Sequence, residues 1–375
     1  MENVVKYRRA LHAMPEKALT EFQTTAYIET HLKTLPCRLI HVGETGVLAL
    51  FDNQKDRAVA LRADIDALGI EEKTGLSFAS VNGCMHACGH DAHAAMLLAV
   101  ADILAESYTQ YDFNILLIFQ PAEESFGGAK AIARSGLFEQ LNVRRVFGFH
   151  LLPDLPKGAI GTKSGPLMSH ASEVYVTIEG KAAHCARPEE GFDALRAGCS
   201  FVTSCYRMRD TEFDKNEPIL LFFGIIQSGK AQNIISAETK LSGSLRTFSE
   251  ETHERLSMRV REIAAATDAV FGTKTTVEIT PGYPSVDNHP QVFEEAAAAF
   301  QKAGIDVLPV PLQLPGEDFS EYQQVAPGLF SFLGIESAHP LHNDKFDFDE
   351  SVLHDGVKAW LALLAHYNEE AIPGF

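Results

Sequence analysis

The chain has 375 residues, 46% of them apolar, and a formal net charge of −18. This acidic excess disfavours nucleic acid and anionic membrane surfaces as partners, because both attract basic proteins. The first residues, MENVVKYRRA, lack the apolar core of a signal peptide, and no apolar run is long enough to cross a bilayer. Six cysteines are too few for a disulfide framework in so long a chain. We therefore expect reduced thiols, a cytoplasmic location and enough chain for two domains.

The first 165 residues show the pattern of an α/β domain. Short apolar runs with β-branched and aromatic residues at 57–64, 113–119 and 144–150 predict buried strands of a mostly parallel sheet. Residues 90–107, HDAHAAMLLAVADILAES, predict a helix with a broad apolar face.

The pattern changes between residues 172 and 281. Strands and helices are predicted there in the order β-α-β-β-α-β, which is the order of a ferredoxin-like module. The α/β pattern returns from residue 282 and ends in a helix near 349–368. We therefore expect one α/β catalytic domain, made of residues 1–171 and 282–375, with a smaller α+β domain, 172–281, inserted into it.

The stretch GCMHACGHDAH, residues 83–93, places two cysteines, three histidines and an aspartate in eleven positions. A redox pair is disfavoured, because Cys84 and Cys88 are separated by three residues and the chain has no C-x-x-C. A closed structural zinc site is disfavoured too, because such sites use two ligand pairs and no second pair of this spacing occurs. Two interpretations remain. Either this is a polar loop with Cys88 as a buried thiol, or Cys88 and His90 bind a metal whose other ligands come from elsewhere.

Further candidate ligands lie where predicted strands end. Glu123 and Glu124 follow the strand FNILLIF, and His150 ends the next strand. His342 lies shortly after the run GLFSFLG. Because sites in open α/β sheets gather at the carboxyl ends of strands, this coincidence favours a metal site over a polar loop. A solvated acidic turn is the alternative for the glutamate pair, but one carboxylate can bind metal while its neighbour takes a proton from metal-bound water.

Eight motifs occur together in one order along nearly the whole chain: LRADIDAL, MHACGHDAH, FQPAEE, GFHLLPDLPKGAIG, GKAAH, QNIISAETKLSGSLRTFS, PGEDF and LHN. In this combination the chain resembles the amidohydrolase branch of the metal-dependent aminoacylase/carboxypeptidase superfamily. That branch includes hippurate hydrolases, aminoacylases, auxin-conjugate hydrolases and N-acetyldiaminopimelate deacetylases. The resemblance implies a two-metal, peptidase-like catalytic domain with an inserted domain that serves as a lid and dimerises.

The resemblance also implies roles for single residues in the catalytic domain. Cys88 bridges the two ions, with Glu123 beside it as general base and acid. The remaining ligands divide into two pairs, one for each ion: His90 with His150, and Glu124 with His342. The implied cofactor is two divalent ions per subunit, and this donor set is compatible with Mn, Zn, Co or Ni.

Five further positions carry over from the same resemblance. His184 matches a lid histidine that reaches the active site of a partner subunit and polarises the scissile carbonyl. Asn233 and Arg246 match lid residues that meet the substrate carboxylate, and Gly316 in PGEDF is expected at the substrate. Asp64 matches a carboxylate near the metals. The chain has GKAAHC where GKGGHA is usual, with alanines in place of two glycines in the loop that carries His184.

The implied reaction is hydrolysis of the amide bond of an N-acyl amino acid, giving a carboxylate and a free amino acid, in a homodimer or higher homo-oligomer. LHNDKFDFDE favours the aminoacylase and hippurate hydrolase type, with N-acetyldiaminopimelate deacetylation as the alternative. Two rival interpretations are a dipeptidase and a non-catalytic metal-binding homologue. A non-catalytic homologue is expected to lose the base or a ligand, and all six residues are present here.

Overall fold

The computed structural model describes residues 3–125, 127–214 and 216–369. The strands within these ranges are β1 (Arg38–Val42), β2 (Gly46–Phe51), β3 (Ala58–Asp64), β4 (Asn114–Gln120), β5 (Val143–Leu152), β6 (Ile160–Gly161), β7 (Gly165–Met168), β8 (His170–Glu179), β9 (Leu220–Ser228), β10 (Glu238–Thr247), β11 (Lys274–Ile279), β12 (Val286–Asn288), β13 (Val307–Leu308) and β14 (Gly328–Gly334). The α-helices are α1 (Val4–His12), α2 (Phe22–Leu32), α3 (His90–Ser107), α4 (Gly128–Ala133), α5 (Leu137–Gln140), α6 (Ala194–Glu212), α7 (Glu250–Phe271), α8 (Pro290–Lys302), α9 (Ser320–Gln323) and α10 (Val352–Glu369).

The larger sheet has eight strands in the order β1-β2-β4-β3-β5-β14-β6-β13. β3 lies between β4 and β5 and is parallel to both, and β14 continues parallel beside β5. β1 and β2 pair antiparallel at one edge. Every residue of β2, β3, β4 and β14 is buried, as expected for central strands covered on both faces. The prediction of a mostly parallel sheet is therefore confirmed at its centre.

The start of α3 is fixed by the turn before it. α3 begins at His90, directly after Gly89, and spans the predicted 90–107. Gly89 has a φ of 85°, and a Cβ at this position would lie 2.7 Å from Cδ1 of Leu151. Both the left-handed backbone and the close approach require glycine. The turn brings Cys88 and His90 to the carboxyl end of β5, where Leu151 lies next to His150.

The smaller sheet is fully antiparallel, with the order β11-β8-β10-β9. Helices α6 and α7 pack against it over a core that includes Phe201, Leu241, Leu256 and Val260. The chain order β-α-β-β-α-β and this strand order are those of a ferredoxin-like module, which confirms the predicted inserted α+β fold. Ser249 begins α7 as its N-cap, because its side chain accepts a hydrogen bond from the backbone N–H of Thr252.

Two compact units result. Unit 1 comprises the chain up to Leu167, Val286–Pro311 and the chain from Asp318 onward, and unit 2 comprises Met168–Ser285 and Leu312–Glu317. Unit 1 carries the larger sheet and unit 2 the smaller one. Within the described ranges, no helix combines the length and the apolarity needed to span a bilayer.

Candidate active site

A cluster of sulfur, nitrogen and oxygen donors in unit 1 centres on Cys88. Its Sγ lies 3.3 Å from Nε2 of His150 and 3.2 Å from Nε2 of His342. The same Nε2 of His342 lies 3.2 Å from Oε1 of Glu124. Cys88, His90 and His150 form one group whose donor atoms lie within 4.8 Å of one another, and Cys88, Glu124 and His342 form a second. Cys88 is therefore the member shared by both groups.

This donor set fits a pair of divalent ions. His90 and Cys88 are buried, and Nε2 of His90 has no hydrogen-bond partner within the described ranges. A buried nitrogen without a partner is costly unless something else satisfies it. Thiolate, imidazole and carboxylate are the ligands that first-row transition metals take, and a shared thiolate can serve two ions.

Backbone carbonyls orient two of the imidazoles. Nδ1 of His90 lies 3.0 Å from the carbonyl oxygen of Asp66, and Nδ1 of His150 lies 2.8 Å from that of Leu151. A carbonyl only accepts hydrogen bonds, so in both rings Nδ1 carries the proton and Nε2 keeps its lone pair for the cluster. Fixing the tautomer through the second nitrogen is the usual way to prepare a histidine for a metal.

Asp66 holds the backbone of the glutamate pair and was missed by the sequence analysis. Its Oδ1 accepts a hydrogen bond from N–H of Glu123 at 3.0 Å, and its Oδ2 accepts one from N–H of Glu124 at 3.0 Å. Oδ1 also lies 3.3 Å from Nδ1 of His90. The carboxylate of Asp66 thus contacts the imidazole of His90 and the backbone amides of both glutamates. The only signal in the sequence was its place two residues after Asp64 in RADID.

Asp64 lies beside the cluster, in a chain of buried charges. It accepts hydrogen bonds from Nδ1 of His93 at 2.6 Å and from the guanidinium of Arg62 at 2.8 Å, and it lies 3.8 Å from Nε2 of His90. Burial favours the protonated carboxyl, but the neighbouring His90, Arg62 and His93 hold the pKa of Asp64 well below its ordinary value. Nε2 of His93 accepts from N–H of Leu151 at 3.0 Å, so both nitrogens of His93 are used. His93 therefore supports the strand end next to His150.

Different interactions shift the pKa values of the individual donors. Burial lowers the pKa of His150 to about 3, which keeps its imidazole neutral. Burial raises the pKa of the Cys88 thiol. Hydrogen bonds to Cys88 and Glu124 raise the pKa of His342 to about 10. Binding of an ion must displace the protons on Cys88 and His342, so we expect metal affinity to rise with pH.

Glu123 stands next to the two groups that share Cys88 and belongs to neither. It is buried, with Oε2 4.0 Å from Nε2 of His90, and it forms a further group with His90 and Glu124. A carboxylate at this position, beside the ligands, is suited to proton transfer.

The remaining carried-over residues belong to unit 2. His184 and Asn233 are exposed, and their loops meet: N–H of Cys185 donates to the carbonyl of Asn233 at 3.0 Å. Arg246 is half-buried and bonds the carboxylate of Glu173 at 3.2 Å. Gly316 also lies in unit 2. The five donors, Glu123 and Asp64 all belong to unit 1.

The chain matches known proteins along nearly its whole length. Residues 60–366 match the model of peptidase family M20/M25/M40. N-acetyl-L-cysteine deacetylase of Bacillus subtilis is 35% identical over 355 residues, which cover 94% of this chain and 85% of that protein. N-acetyldiaminopimelate deacetylase of Shouchella clausii is 34% identical over 370 residues, covering 97% and 98%.

A solved structure agrees with the sequence comparisons. A Bacillus subtilis protein described as a dinuclear metal-binding peptidase of the M20 family has a TM-score of 0.87 and 31% identity to this chain, with 98% of each chain covered. The resemblance inferred from the motifs is thereby confirmed. The chain belongs to peptidase family M20/M25/M40 and is a metal-dependent hydrolase of amide bonds.

Proposed function

We propose that the chain removes the acetyl group from an N-acetyl amino acid, with two divalent ions held by Cys88, His90, Glu124, His150 and His342. The observation that carries this proposal is the pair of donor groups that share the Sγ of Cys88. Mn, Zn, Co and Ni all suit the donors. The six cysteines are free, which agrees with the cytoplasmic location that we propose.

The mechanism that we propose assigns proton transfer to Glu123. The ions, when bound, supply Lewis acidity toward the amide carbonyl and lower the pKa of water. Glu123 takes a proton from the attacking water and returns it to the nitrogen of the departing amino acid. Asp66 keeps Glu123 in place through the backbone, and Asp64 is a positioning residue that acts through His93.

We propose that unit 2 supplies the substrate contacts. His184 stabilises the oxyanion with its imidazole from a second copy of the chain, and Asn233 and Arg246 receive the substrate carboxylate. Gly316 packs against Ala171, where an added Cβ would lie 2.6 Å from Cβ of Ala171, and we propose that its backbone also faces the substrate. This arrangement makes the homodimer the active form.

For the substrate we favour N-acetyldiaminopimelate over the benzoylated and other acylated amino acids of the hippurate hydrolase type, which the sequence analysis had favoured. The support comes from the relatives, among which N-acetyldiaminopimelate deacetylases of 33–35% identity recur. N-acetylcysteine is the second candidate, because two relatives of 32% and 35% identity are deacetylases of that compound.

The test is a substrate panel on metal-free enzyme reconstituted separately with each of the four metals. N-acetyl-diaminopimelate, N-acetyl-L-cysteine, hippurate and a dipeptide are compared by the release of free amine. We expect kcat/KM for an N-acetyl substrate to exceed that for hippurate by at least about tenfold. A difference in the size of the acyl group that the pocket must accept can produce an effect of this size. The Glu123→Gln variant serves as the blank. Preference for hippurate or the dipeptide would contradict the proposal.

A further inference from the structure

Glu21 is a fully buried carboxylate that comes directly before α2. Its Oε1 accepts hydrogen bonds from N–H of Leu19 at 3.0 Å and from N–H of Ala122 at 2.9 Å. Its Oε2 accepts one from the hydroxyl of Thr45 at 2.9 Å. Glu21 stands at the N-cap position of α2, yet its side chain makes no capping hydrogen bond. The carboxylate is therefore not used to start its own helix.

Ala122 is the residue immediately before the glutamate pair, and it has an unusual backbone conformation. Its φ is 57°, in the left-handed region that residues with a Cβ rarely adopt, and it is fully buried. Such a conformation persists only where the surroundings hold it. The N–H of Ala122 is bound by Glu21, and those of Glu123 and Glu124 are bound by Asp66. Two carboxylates thus hold three consecutive amides.

We propose that Glu21 is a positioning residue for the site: by binding N–H of Ala122 it holds the left-handed turn that aims the side chains of Glu123 and Glu124. Relaxation of φ at residue 122 would rotate both glutamates with respect to His90 and His342. Glu21 lies before residue 60, outside the part of the chain that matches the family model. The part of the inference that concerns Glu123 rests on the proposed function, because that function assigns proton transfer to Glu123. The part that concerns Glu124 rests only on the geometry of the donor group.

The charge balance at Glu21 agrees with this role. Burial, together with the nearby carboxylate of Asp66, raises the pKa of Glu21, while the bonds from Thr45 and Ala122 lower it. A buried carboxylate is retained only where donors satisfy it. Here one of those donors belongs to a turn 101 residues away in the chain.

The experiment compares Glu21→Ala with Glu21→Gln and with a matched control, Glu16→Ala. Glu16 lies five residues earlier, and its carboxylate also accepts backbone hydrogen bonds, from N–H of Gln23 and Thr24. Those bonds lie at α2 and do not reach residues 122–124. Metal-free protein is titrated with Co²⁺, followed by the cobalt–thiolate absorption, and kcat and KM are then measured on the best N-acetyl substrate.

Glu21→Ala is expected to lower kcat by about 10–100-fold, with KM within about threefold, and to weaken binding of one of the two cobalt ions by about tenfold. Glu21→Gln should restore most of both properties, because its amide oxygen still accepts from Ala122. Glu16→Ala should keep wild-type kcat and cobalt binding. If Glu21→Ala does not fold, Glu21→Asp is measured with the same expectation. Its side chain is one methylene shorter, so its carboxylate does not reach N–H of Ala122.

Three outcomes would overturn the inference: wild-type kcat and cobalt binding in folded Glu21→Ala or Glu21→Asp, losses in Glu21→Gln as large as those in Glu21→Ala, or equal losses in Glu16→Ala. The cobalt titration also separates this inference from the proposed function. If wild-type enzyme hydrolyses no N-acetyl substrate, the proposed function fails, while the cobalt affinities of the Glu21 variants still decide whether Glu21 positions Glu124.

Discussion

In unit 1 the candidate ligands lie in a mostly buried cluster, where backbone and side-chain partners fix them. In unit 2, His184 and Asn233 are exposed on two loops that are joined by backbone hydrogen bonds. His90 and His150 have their tautomers fixed by carbonyls, and Glu123 and Glu124 are tied to Asp66. In unit 2, Arg246 bonds the carboxylate of Glu173, and Nδ1 of His184 accepts a hydrogen bond from N–H of Ala186, a partner in its own exposed loop.

The difference follows from what each set of side chains is proposed to bind. A metal site needs its donors held within a fraction of an ångström before the ion arrives, so its supports are built into the same unit. Side chains that meet a substrate and a second protein copy stay exposed until those arrive, and rotamer changes on binding are common among them. We therefore predict that single substitutions in the metal site of unit 1 abolish activity. The contribution of unit 2 to activity is predicted to be lost when the second copy of the chain is absent.

The largest effect is expected at Glu123. Glu123→Gln keeps the size of the side chain and the backbone bond to Asp66 but removes the proton acceptor. We expect kcat to fall by about 10²–10⁴-fold with both ions still bound. Metal content and kcat are measured on the same preparation, with Glu124→Gln as the comparison that loses metal. Near-normal turnover in Glu123→Gln would show that the base is another residue.

Metal removal is expected to change the reactivity of one cysteine in particular. As the donor shared by both groups, Cys88 should be a bound thiolate, slow to alkylate in the loaded protein and at least about tenfold faster after chelation. Exposed Cys185 and buried Cys205 in unit 2 should label at unchanged rates, fast and slow respectively. Mass spectrometry of the labelled peptides gives the three rates. Equal rates at Cys88 with and without chelator would remove it from the site.

A mixed dimer tests whether unit 2 acts across subunits. His184→Ala and Glu123→Gln protomers are each expected to be inactive, but a heterodimer combines intact Glu123 with the intact His184 of its partner at one of its two sites. Up to about half of the wild-type activity per heterodimer is then expected. Differently tagged chains verify that subunits have exchanged. Heterodimers as inactive as their parents would exclude action of His184 in trans.

Much of the fold and of the donor set was predictable because the signals are local. The 90–107 helix and the central strands follow from apolar periodicity, and His150 is marked by its place at a strand end. Glu123 and Glu124 are marked in the same way, and the structure brings them to Cys88 and His90. The antiparallel β1–β2 edge was not predicted, although β2, GVLALF, is a buried apolar run of the same kind.

The supporting residues could not be found in this way. Glu21 binds the turn at Ala122 from 101 residues away, and Asp66 binds Glu123 from 57 residues away. Such contacts depend on how distant segments pack, and in the sequence each residue is one acid among fifty. His93 lies in the same motif as Cys88 and His90, but only the structure shows that its two nitrogens are taken by Asp64 and Leu151.

The smallest predicted effect concerns the stability of unit 2 in acid, at a residue outside the proposed metal site. His253 on α7 is buried and stacks on His170, with ring centroids 3.5 Å apart. Burial, with the neighbouring His170 and Arg261, lowers its pKa from 6.5 to about 4. Between these values the unfolded chain binds a proton that the folded chain does not, so His253 stabilises the fold fully above about pH 6.5 and progressively less as the pH falls toward about 4.

His253→Gln removes this titration. On going from about pH 7.5 to about pH 4.5, the variant should lose about 2–4 °C less in Tm than the wild-type protein loses, because the shift in pKa is worth about 3 kcal/mol over this range and one kcal/mol shifts the Tm of a chain of this length by about 1 °C. Circular dichroism of metal-free protein measures the Tm of the variant and of the wild-type protein at each pH. The matched control replaces the exposed His289 by Gln. If the fall in Tm with pH is unchanged in His253→Gln, groups other than His253 set the acid sensitivity of the protein.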